Sequence, residues 1–145
     1  MRGLLQRVRR AAVAVDGAEV GAIQQGVLLL LGIAHADTAA SADTLLDRVL
    51  RYRLFPDAQE RMNLSLADIG GGLLIVSQFT LMADTRKGLR PSFTPAAPPE
   101  QAERLYDHFI ARARARHAPV ACGVFGADMQ VELVNDGPVT LLLEV

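Results

Sequence analysis

Two short polar segments carry the residue types that could do chemistry in this sequence. Ser77-Gln78-Phe79-Thr80 directly follows the apolar run from Leu73 to Val76, and polar groups at the carboxyl end of a central strand are well placed to line a pocket. A polar strand end that caps its own backbone explains the same residues equally well. Asn135-Asp136-Gly137-Pro138 is the second segment, and its residue types alone are more typical of a hairpin turn.

Few other residues in the sequence could act as nucleophiles or metal ligands. No Gly-x-Ser-x-Gly motif is present, and no motif links His35, His108 or His117 to a serine or cysteine. The one cysteine, Cys122, precedes Gly123 without a thiol-activating neighbour, so we interpret it as a buried structural thiol. Because the histidines lack the spacing of metal ligands, we expect no metal and no cofactor.

Basic residues cluster in a polar loop from about Ala83 to Pro99. Thr85-Arg86-Lys87-Gly88-Leu89-Arg90 follows soon after the first polar segment. Solvation explains most exposed cations, but a basic loop beside a pocket would suit an anionic substrate such as an RNA end.

Length and composition limit the class of protein. The 145 residues amount to one ordinary domain, so we treat residues 1–145 as a single domain. With 15 basic and 16 acidic residues the formal net charge is -1, which argues against a protein that coats nucleic acid non-specifically. One cysteine fits a reducing compartment. The longest apolar run, Val27 to Ala34, has eight residues, whereas a bilayer span needs about 20. We therefore expect a cytoplasmic protein without a membrane segment.

Hydrophobic periodicity predicts the elements that position these segments. One helix begins after an N-cap at Asp37 or Thr38 and ends near Arg53, and a second begins at Pro98-Pro99-Glu100. The predicted strands are Leu4 to Val15, Glu19 to Ile23, Val27 to Leu31, Leu73 to Val76, Met129 to Leu133 and Val139 to Val145. Two helices cover only part of such a sheet, so we predict an α/β protein with two packed sheets.

The two polar segments together resemble a known family. Ser77-Gln78-Phe79-Thr80-Leu81 and Asn135-Asp136-Gly137-Pro138-Val139-Thr140 are similar to the paired signature of the D-aminoacyl-tRNA deacylases. The resemblance continues in order over nearly the whole chain, through Gln6-Arg7-Val8, Arg61-Met62-Asn63-Leu64, Arg90-Pro91-Ser92-Phe93 and Phe125 to Val131.

The resemblance implies a fold and an assembly. It implies a three-layer α/β/β fold with mixed sheets and two main helices, and a homodimer with active sites at the subunit interface. The apolar run Val139 to Leu143 suits a strand at such an interface. The resemblance also implies a cis peptide between Gly137 and Pro138, which would reach into the partner's pocket.

The resemblance further implies how D-aminoacyl groups are distinguished from L-aminoacyl groups. Backbone carbonyls at Gly137 and Pro138 would face the α-carbon and amino group of the aminoacyl ester. An L side chain would collide with them, whereas a D side chain would point away, so selection works by rejection. Glycine would also pass, which implies a second role in clearing glycine mischarged onto alanine tRNA.

The first segment would line the opposite wall, near the ester and the terminal adenosine. Thr80 is a nucleophile by chemical type, but no base for its hydroxyl is identifiable. The resemblance therefore implies hydrolysis assisted by the tRNA 2′-OH, with Gln78 and Thr80 positioning the substrate, and substrate contacts from Ser77 and Phe79.

Three further residues receive roles from the resemblance. Arg7 would hold the Gly-Pro loop, while Phe125 and Met129 are candidates for either the pocket or the core. Two functional alternatives stay open: a module that binds a tRNA end without catalysis, and a hydrolase of small esters that depends on Thr80 or Cys122.

Overall fold

A mixed sheet and two long helices make up most of the computed structural model, which describes residues 1–145. The helices are α1 (Ala39–Arg51), α2 (Leu66–Ile69) and α3 (Pro99–Arg116), and a 3₁₀ turn covers Phe79–Met82. The strands are β1 (Arg2–Val15), β2 (Ala18–Ile23), β3 (Gly26–Gly32), β4 (Arg53–Pro56), β5 (Met62–Ser65), β6 (Gly72–Ser77), β7 (Val120–Cys122) and β8 (Met129–Glu144). The predicted α/β class with two main helices is confirmed.

The long strand β1 joins two parts of one six-stranded sheet. Its first half pairs antiparallel with β3 and its second half with β2, while β8 follows its other edge from end to end. Strand β6 lies parallel to β3, and β7 lies parallel to β6. The carboxyl ends of β3, β6 and β7 therefore meet at one edge of the sheet, where ligand sites commonly form.

Alternate side chains of the central strands enter two separate hydrophobic cores. Leu29 and Ile75 pack with α1 and α3, whereas Leu28 and Leu74 pack with the second half of β1 and the first half of β8. The sheet thus bends until its two parts face each other across the second core. A helix layer and two sheet layers result, which is the expected three-layer α/β/β arrangement.

Local sequence explains where the two long helices begin. At α1, the Thr38 hydroxyl accepts from the Ser41 amide at 3.4 Å, and the Ser41 hydroxyl accepts from the Thr38 amide at 3.2 Å, which forms a reciprocal cap. At α3, Pro99 occupies the first helical position, where its missing N–H has no cost. Helix α1 ends at Arg51 rather than near Arg53: the backbone of Tyr52 is extended, and β4 begins at Arg53. None of the helices combines the length and apolar character needed to cross a bilayer.

The predicted hairpin turn at Asn135 to Pro138 is wrong. Strand β8 continues through this segment, because the residues before and after it pair with the same strand, β1, in the same antiparallel direction. Opposite Arg7 the register shifts and four residues bulge out. The Asn135 side-chain oxygen accepts from the Val139 amide at 2.8 Å and closes the base of this bulge.

Four short elements have no counterpart in the predicted set: β4, β5, β7 and α2. Each contains only three or four residues, which is too short for a periodic hydrophobic pattern to develop. The edge strand β7 forms against β6, a distant part of the chain, whereas β4 and β5 form by pairing with each other. Helix α2 begins after Ser65, whose hydroxyl accepts from the Asp68 amide at 3.1 Å.

Candidate active site

A cavity of about 780 Å³ opens at the edge where the three parallel strands end. Five of the residues predicted for the site line it: Ser77, Gln78, Phe79, Phe125 and Met129. The first three continue from β6, and the other two follow β7 and begin β8. Strand order thus brings together segments that lie about 50 residues apart in the sequence.

Phe125 and Met129, which were candidates for either the pocket or the core, belong to both. Phe125 packs against the helix-side core and Met129 against the second core, and both also line the cavity. Met129 is closely fitted, because a Cβ added to Gly123 would lie 2.6 Å from its sulfur. Gly123 therefore leaves room for the Met129 side chain beside the cavity.

Tyr106 of α3 makes hydrogen bonds to the strands that precede two of the lining segments. The Tyr106 hydroxyl lies 3.0 Å from the carbonyl oxygen of Ile75 and 3.4 Å from that of Gly123, so it links β6 to the residue that follows β7. Its ring centroid lies 5.8 Å from that of Phe125. Burial raises the pKa of the Tyr106 hydroxyl well above its ordinary value, so it is a neutral donor at physiological pH.

Thr80 directly follows the lining residue Phe79 but does not itself line the cavity. Its hydroxyl accepts a hydrogen bond from the Gln78 side-chain amide. No carboxylate or imidazole is within hydrogen-bond distance of Thr80 Oγ1. A carboxamide N–H donates and cannot take a proton from the hydroxyl, so this contact orients Thr80 without activating it.

The opposite wall comes from a segment that sequence reasoning missed. Phe93 and Thr94, together with residues 96–99, line the cavity. The Ala97 amide donates to the Ile33 carbonyl at 2.9 Å and the His35 amide to that of Pro95 at 3.3 Å, so the segment runs beside the end of β3. No periodic pattern marks it. The rings of Phe79 and Phe93 meet edge to face, with centroids 5.0 Å apart.

His35 also lines the cavity, although nothing in the sequence connected it with the two polar segments. It lies three residues beyond the end of β3, and Gln101 of α3 donates to its carbonyl oxygen at 3.0 Å. The only signal for it would have been its position just beyond a buried strand that runs parallel to β6.

The segment Asn135 to Pro138 lies elsewhere on the surface. Arg7 Nε donates to the Asp136 carbonyl at 2.9 Å, and Arg7 Nη1 donates to the Leu54 carbonyl at 2.6 Å. Gly137 and Pro138 are exposed, Gly137 has φ +138°, and the peptide between them is cis. One side chain therefore supports the bulge from beneath and ties it to β4.

Sheet register shows how far this bulge is from the cavity of its own chain. Arg7 of β1 lies opposite Val27 of β3, which in turn lies opposite Leu73 of β6. Ser77 is four residues further along β6. Measured along the sheet, four residues of strand amount to about 13 Å, and the part of β8 that pairs with the first half of β1 lies three strands from β6, or about 14 Å. The structure brings the first polar segment together with Phe125 and Met129, but not with Gly137 and Pro138.

Cys122 is half-buried rather than buried as predicted. It ends the edge strand β7, and the Arg114 guanidinium lies 3.4 Å from its sulfur. Cys122 is not among the residues that line the cavity. No group of three or more His, Cys, Asp or Glu side chains is arranged to hold a metal ion.

The sequence matches one family model and is similar to proteins that have the corresponding activity in their names. Residues 4–144 match the family model described as D-Tyr-tRNA(Tyr) deacylase. A D-aminoacyl-tRNA deacylase of Cellvibrio japonicus (strain Ueda107) is 65% identical over 145 residues, which covers 100% of this chain and 99% of the relative. One of Stutzerimonas stutzeri (strain A1501) is also 65% identical, over 144 residues and 99% of each chain.

Two solved structures have the same fold. One, described as c-Myc DNA Unwinding Element Binding Protein, has a TM-score of 0.95 at 40% identity and covers 100% of this chain and 99% of its own. The other, described as a probable eukaryotic D-amino acid tRNA deacylase, has a TM-score of 0.86 at 18% identity, with coverages of 99% and 98%. At that identity the second supports the fold alone.

Proposed function

Because the chain belongs to the D-Tyr-tRNA(Tyr) deacylase family, we propose that it hydrolyses the ester bond of D-aminoacyl-tRNA and releases the free D-amino acid and tRNA. The observation that carries this proposal is the cavity that brings Ser77, Gln78 and Phe79 together with Phe125 and Met129. Its volume of about 780 Å³ suits a ligand of the size of an aminoacyl-adenosine.

The reaction needs little from the protein beyond positioning. Water adds to the ester carbonyl carbon, the bond from that carbon to the ribose oxygen breaks, and the ribose oxygen takes up a proton. We propose that the neighbouring 2′-OH of the terminal ribose assists this attack. The Thr80 contact with Gln78 supports this assignment, because an amide donor leaves the threonine hydroxyl protonated. In this proposal Gln78 and Thr80 position the ester.

The chirality of the substrate is selected by a second copy of the chain. In this proposal the Gly137–Pro138 segment of one subunit enters the cavity of the other and presents backbone carbonyls to the α-carbon. The distance between this segment and the cavity of its own chain supports a contribution in trans. Rejection acts on an L side chain, and glycine has no side chain. Glycine mischarged onto alanine tRNA is therefore also a substrate in this proposal.

The surface of β8 suits such a pairing. The strand has 16 residues and pairs along one edge with β1 alone, so its other edge is free. Leu142 is 53% exposed and Val134 is 38% exposed. Long free edges with exposed apolar side chains favour pairing with another chain. Light scattering should therefore give about twice the chain mass of 15.6 kDa, and a monomer would contradict this part of the proposal.

Release of D-tyrosine from D-Tyr-tRNA tests the activity directly. Multiple turnovers by the purified protein are expected, and we place the enzyme in the cytoplasm, where aminoacyl-tRNA is used. Tight binding of D-Tyr-tRNA without turnover would instead support the alternative of a tRNA-end binding module.

A further inference from the structure

The segment between Asp84 and Glu100 carries charge of one sign only. It contains Arg86, Lys87 and Arg90 and no carboxylate, in a chain whose acidic residues outnumber its basic ones by 16 to 15. The same segment contributes residues 93, 94 and 96–99 to the cavity wall. Positive charge is therefore concentrated beside the cavity although the molecule as a whole is slightly negative.

Backbone pairing turns the start of this segment into a projecting loop, which we name the 85–91 loop. The Asp84 amide donates to the Ser92 carbonyl at 2.7 Å, and the Ser92 amide donates to the Asp84 carbonyl at 3.0 Å. This pair closes the loop at its base, directly before Phe93 at the cavity wall. All residues from 85 to 91 are exposed. The loop thus projects from the segment that forms this wall of the cavity.

The three cations of the loop are not equivalent. Arg86 Nε donates to Asp84 Oδ1 at 2.9 Å and Arg86 Nη2 to Asp84 Oδ2 at 2.6 Å. This double contact holds the pKa of the Asp84 carboxyl far below its ordinary value, so the charges of the pair cancel. Lys87 and Arg90 make no hydrogen bond or ion pair within the chain. They are the two cations of the loop that are free to bind an anion.

Helix α3, whose Pro99 and Ala102 also line the cavity, has the opposite character. Its first nine residues expose Glu100, Glu103 and Asp107, with Arg104 as the only cation among them. A phosphate chain that left the cavity over α3 would meet these carboxylates, whereas one that left over the 85–91 loop would meet Lys87 and Arg90. Electrostatics therefore distinguishes the two exits.

We propose that Lys87 and Arg90 bind backbone phosphates close to the aminoacylated 3′ end of the tRNA, so that the RNA leaves the cavity across the 85–91 loop. This inference rests on the proposed function, since it takes the terminal adenosine to lie in the cavity. Arg86 shapes the loop and makes no phosphate contact. The two free cations add affinity for the RNA and leave the ester chemistry unchanged.

Two substrates separate these roles. The Lys87→Ala/Arg90→Ala double variant is compared with the wild-type protein on D-Tyr-tRNA and on the D-tyrosyl ester of adenosine, which has no phosphate. We expect kcat/KM to fall about tenfold on the tRNA, through KM, and to stay unchanged on the adenosine ester. Arg112→Ala is the matched control, because it removes a cation that pairs with Asp43 at 3.2 Å between α1 and α3. It should leave both values unchanged.

A binding measurement keeps the inference independent of hydrolysis. The dissociation constant for uncharged tRNA is measured over a range of KCl concentrations for the same proteins. Losing two contacts to single-stranded phosphates lowers the slope of log affinity against log salt by about 1.4. Equal losses on both substrates, or an unchanged salt slope, would overturn the inference. If the wild-type protein hydrolyses neither substrate, the deacylase proposal alone is refuted. The salt dependence of tRNA binding would still test whether Lys87 and Arg90 bind phosphates.

Discussion

The Nε of Arg7 donates a hydrogen bond of 2.9 Å to the carbonyl oxygen of Asp136. This contact lies beneath the bulge of β8, immediately before Gly137, and the same guanidinium donates to the Leu54 carbonyl at 2.6 Å. The Arg7 side chain is only 12% exposed. An inward-facing arginine therefore supports an exposed segment that our proposal places in the partner's cavity.

Replacing Arg7 should weaken both the fold and substrate selection. In Arg7→Ala the carbonyls of Leu54 and Asp136 lose their donor, which should reduce the free energy of unfolding by about 2–4 kcal/mol. The freed bulge should also admit L-aminoacyl groups, so the ratio of kcat/KM for D-Tyr-tRNA to that for L-Tyr-tRNA should fall. Chemical denaturation and deacylation assays measure the two effects.

Arg10→Ala is the matched control for that variant. Arg10 lies on the same strand, and its ion pair with Glu132 at 2.8 Å is exposed, so its removal should change the free energy of unfolding by less than about 1 kcal/mol. Unchanged selectivity in a folded Arg7→Ala protein would contradict the supporting role of Arg7.

Gly137→Ala tests whether the bulge acts in trans. Gly137 has φ +138°, and an added Cβ would lie 2.8 Å from Val139 Cγ2, so the substitution should displace the bulge and allow hydrolysis of L-Tyr-tRNA. This variant is then mixed with an excess of Ala127→Phe, which fills the cavity but keeps a normal bulge. If bulges act in trans, mixed dimers regain rejection of L-Tyr-tRNA while D-Tyr-tRNA is still hydrolysed. An L-Tyr-tRNA rate that does not respond to mixing would show that each bulge serves its own chain.

Thr80→Ala separates positioning from nucleophilic attack. Because Thr80 Oγ1 only accepts from the Gln78 amide, we expect kcat on D-Tyr-tRNA to stay within about tenfold of the wild-type value. Single-turnover kinetics measures the chemical step. A loss of about a thousandfold or more with unchanged binding would identify Thr80 as the nucleophile instead. Cys122→Ala should leave the chemical step unchanged, since Cys122 lies outside the cavity.

The buried Tyr106 hydroxyl predicts a dependence of stability on alkaline pH. Its pKa is raised in the folded state by burial, so the folded protein keeps this proton at pH values where the unfolded chain loses it. Its contribution to the free energy of unfolding is therefore complete below pH of about 10 and declines above that pH, by up to about 1.4 kcal/mol per unit.

Tyr106→Phe isolates that contribution. The variant loses the hydrogen bond to the Ile75 carbonyl and should be less stable at pH 7 by about 1 kcal/mol. The difference from the wild-type protein should shrink as the pH rises above about 10. Denaturation curves recorded at several pH values measure it, and a constant difference would contradict the role assigned to the buried hydroxyl.

Local patterns in the sequence predict much of this fold. The alternation in β1 and the doubly apolar runs of β3 and β6 reflect burial on one or both faces. Thr38 and Pro99 mark helix starts because capping depends on neighbouring residues alone.

The remaining features depend on distant partners. Asn135 to Pro138 has the composition of a turn, and only the pairing of both flanks with β1 shows that the strand continues. In the same way, residues 93–99 reach the cavity through backbone contacts with Ile33 and His35. Such placements follow from tertiary pairing, so no local pattern could have indicated them.

Parallel deacylation of D-Tyr-tRNA and L-Tyr-tRNA, prepared on the same tRNA, decides whether this chain is a D-specific deacylase. We expect the protein to hydrolyse the D ester with multiple turnovers and to leave the L ester intact at the same enzyme concentration. Equal hydrolysis of both esters, or of neither, would contradict this expectation.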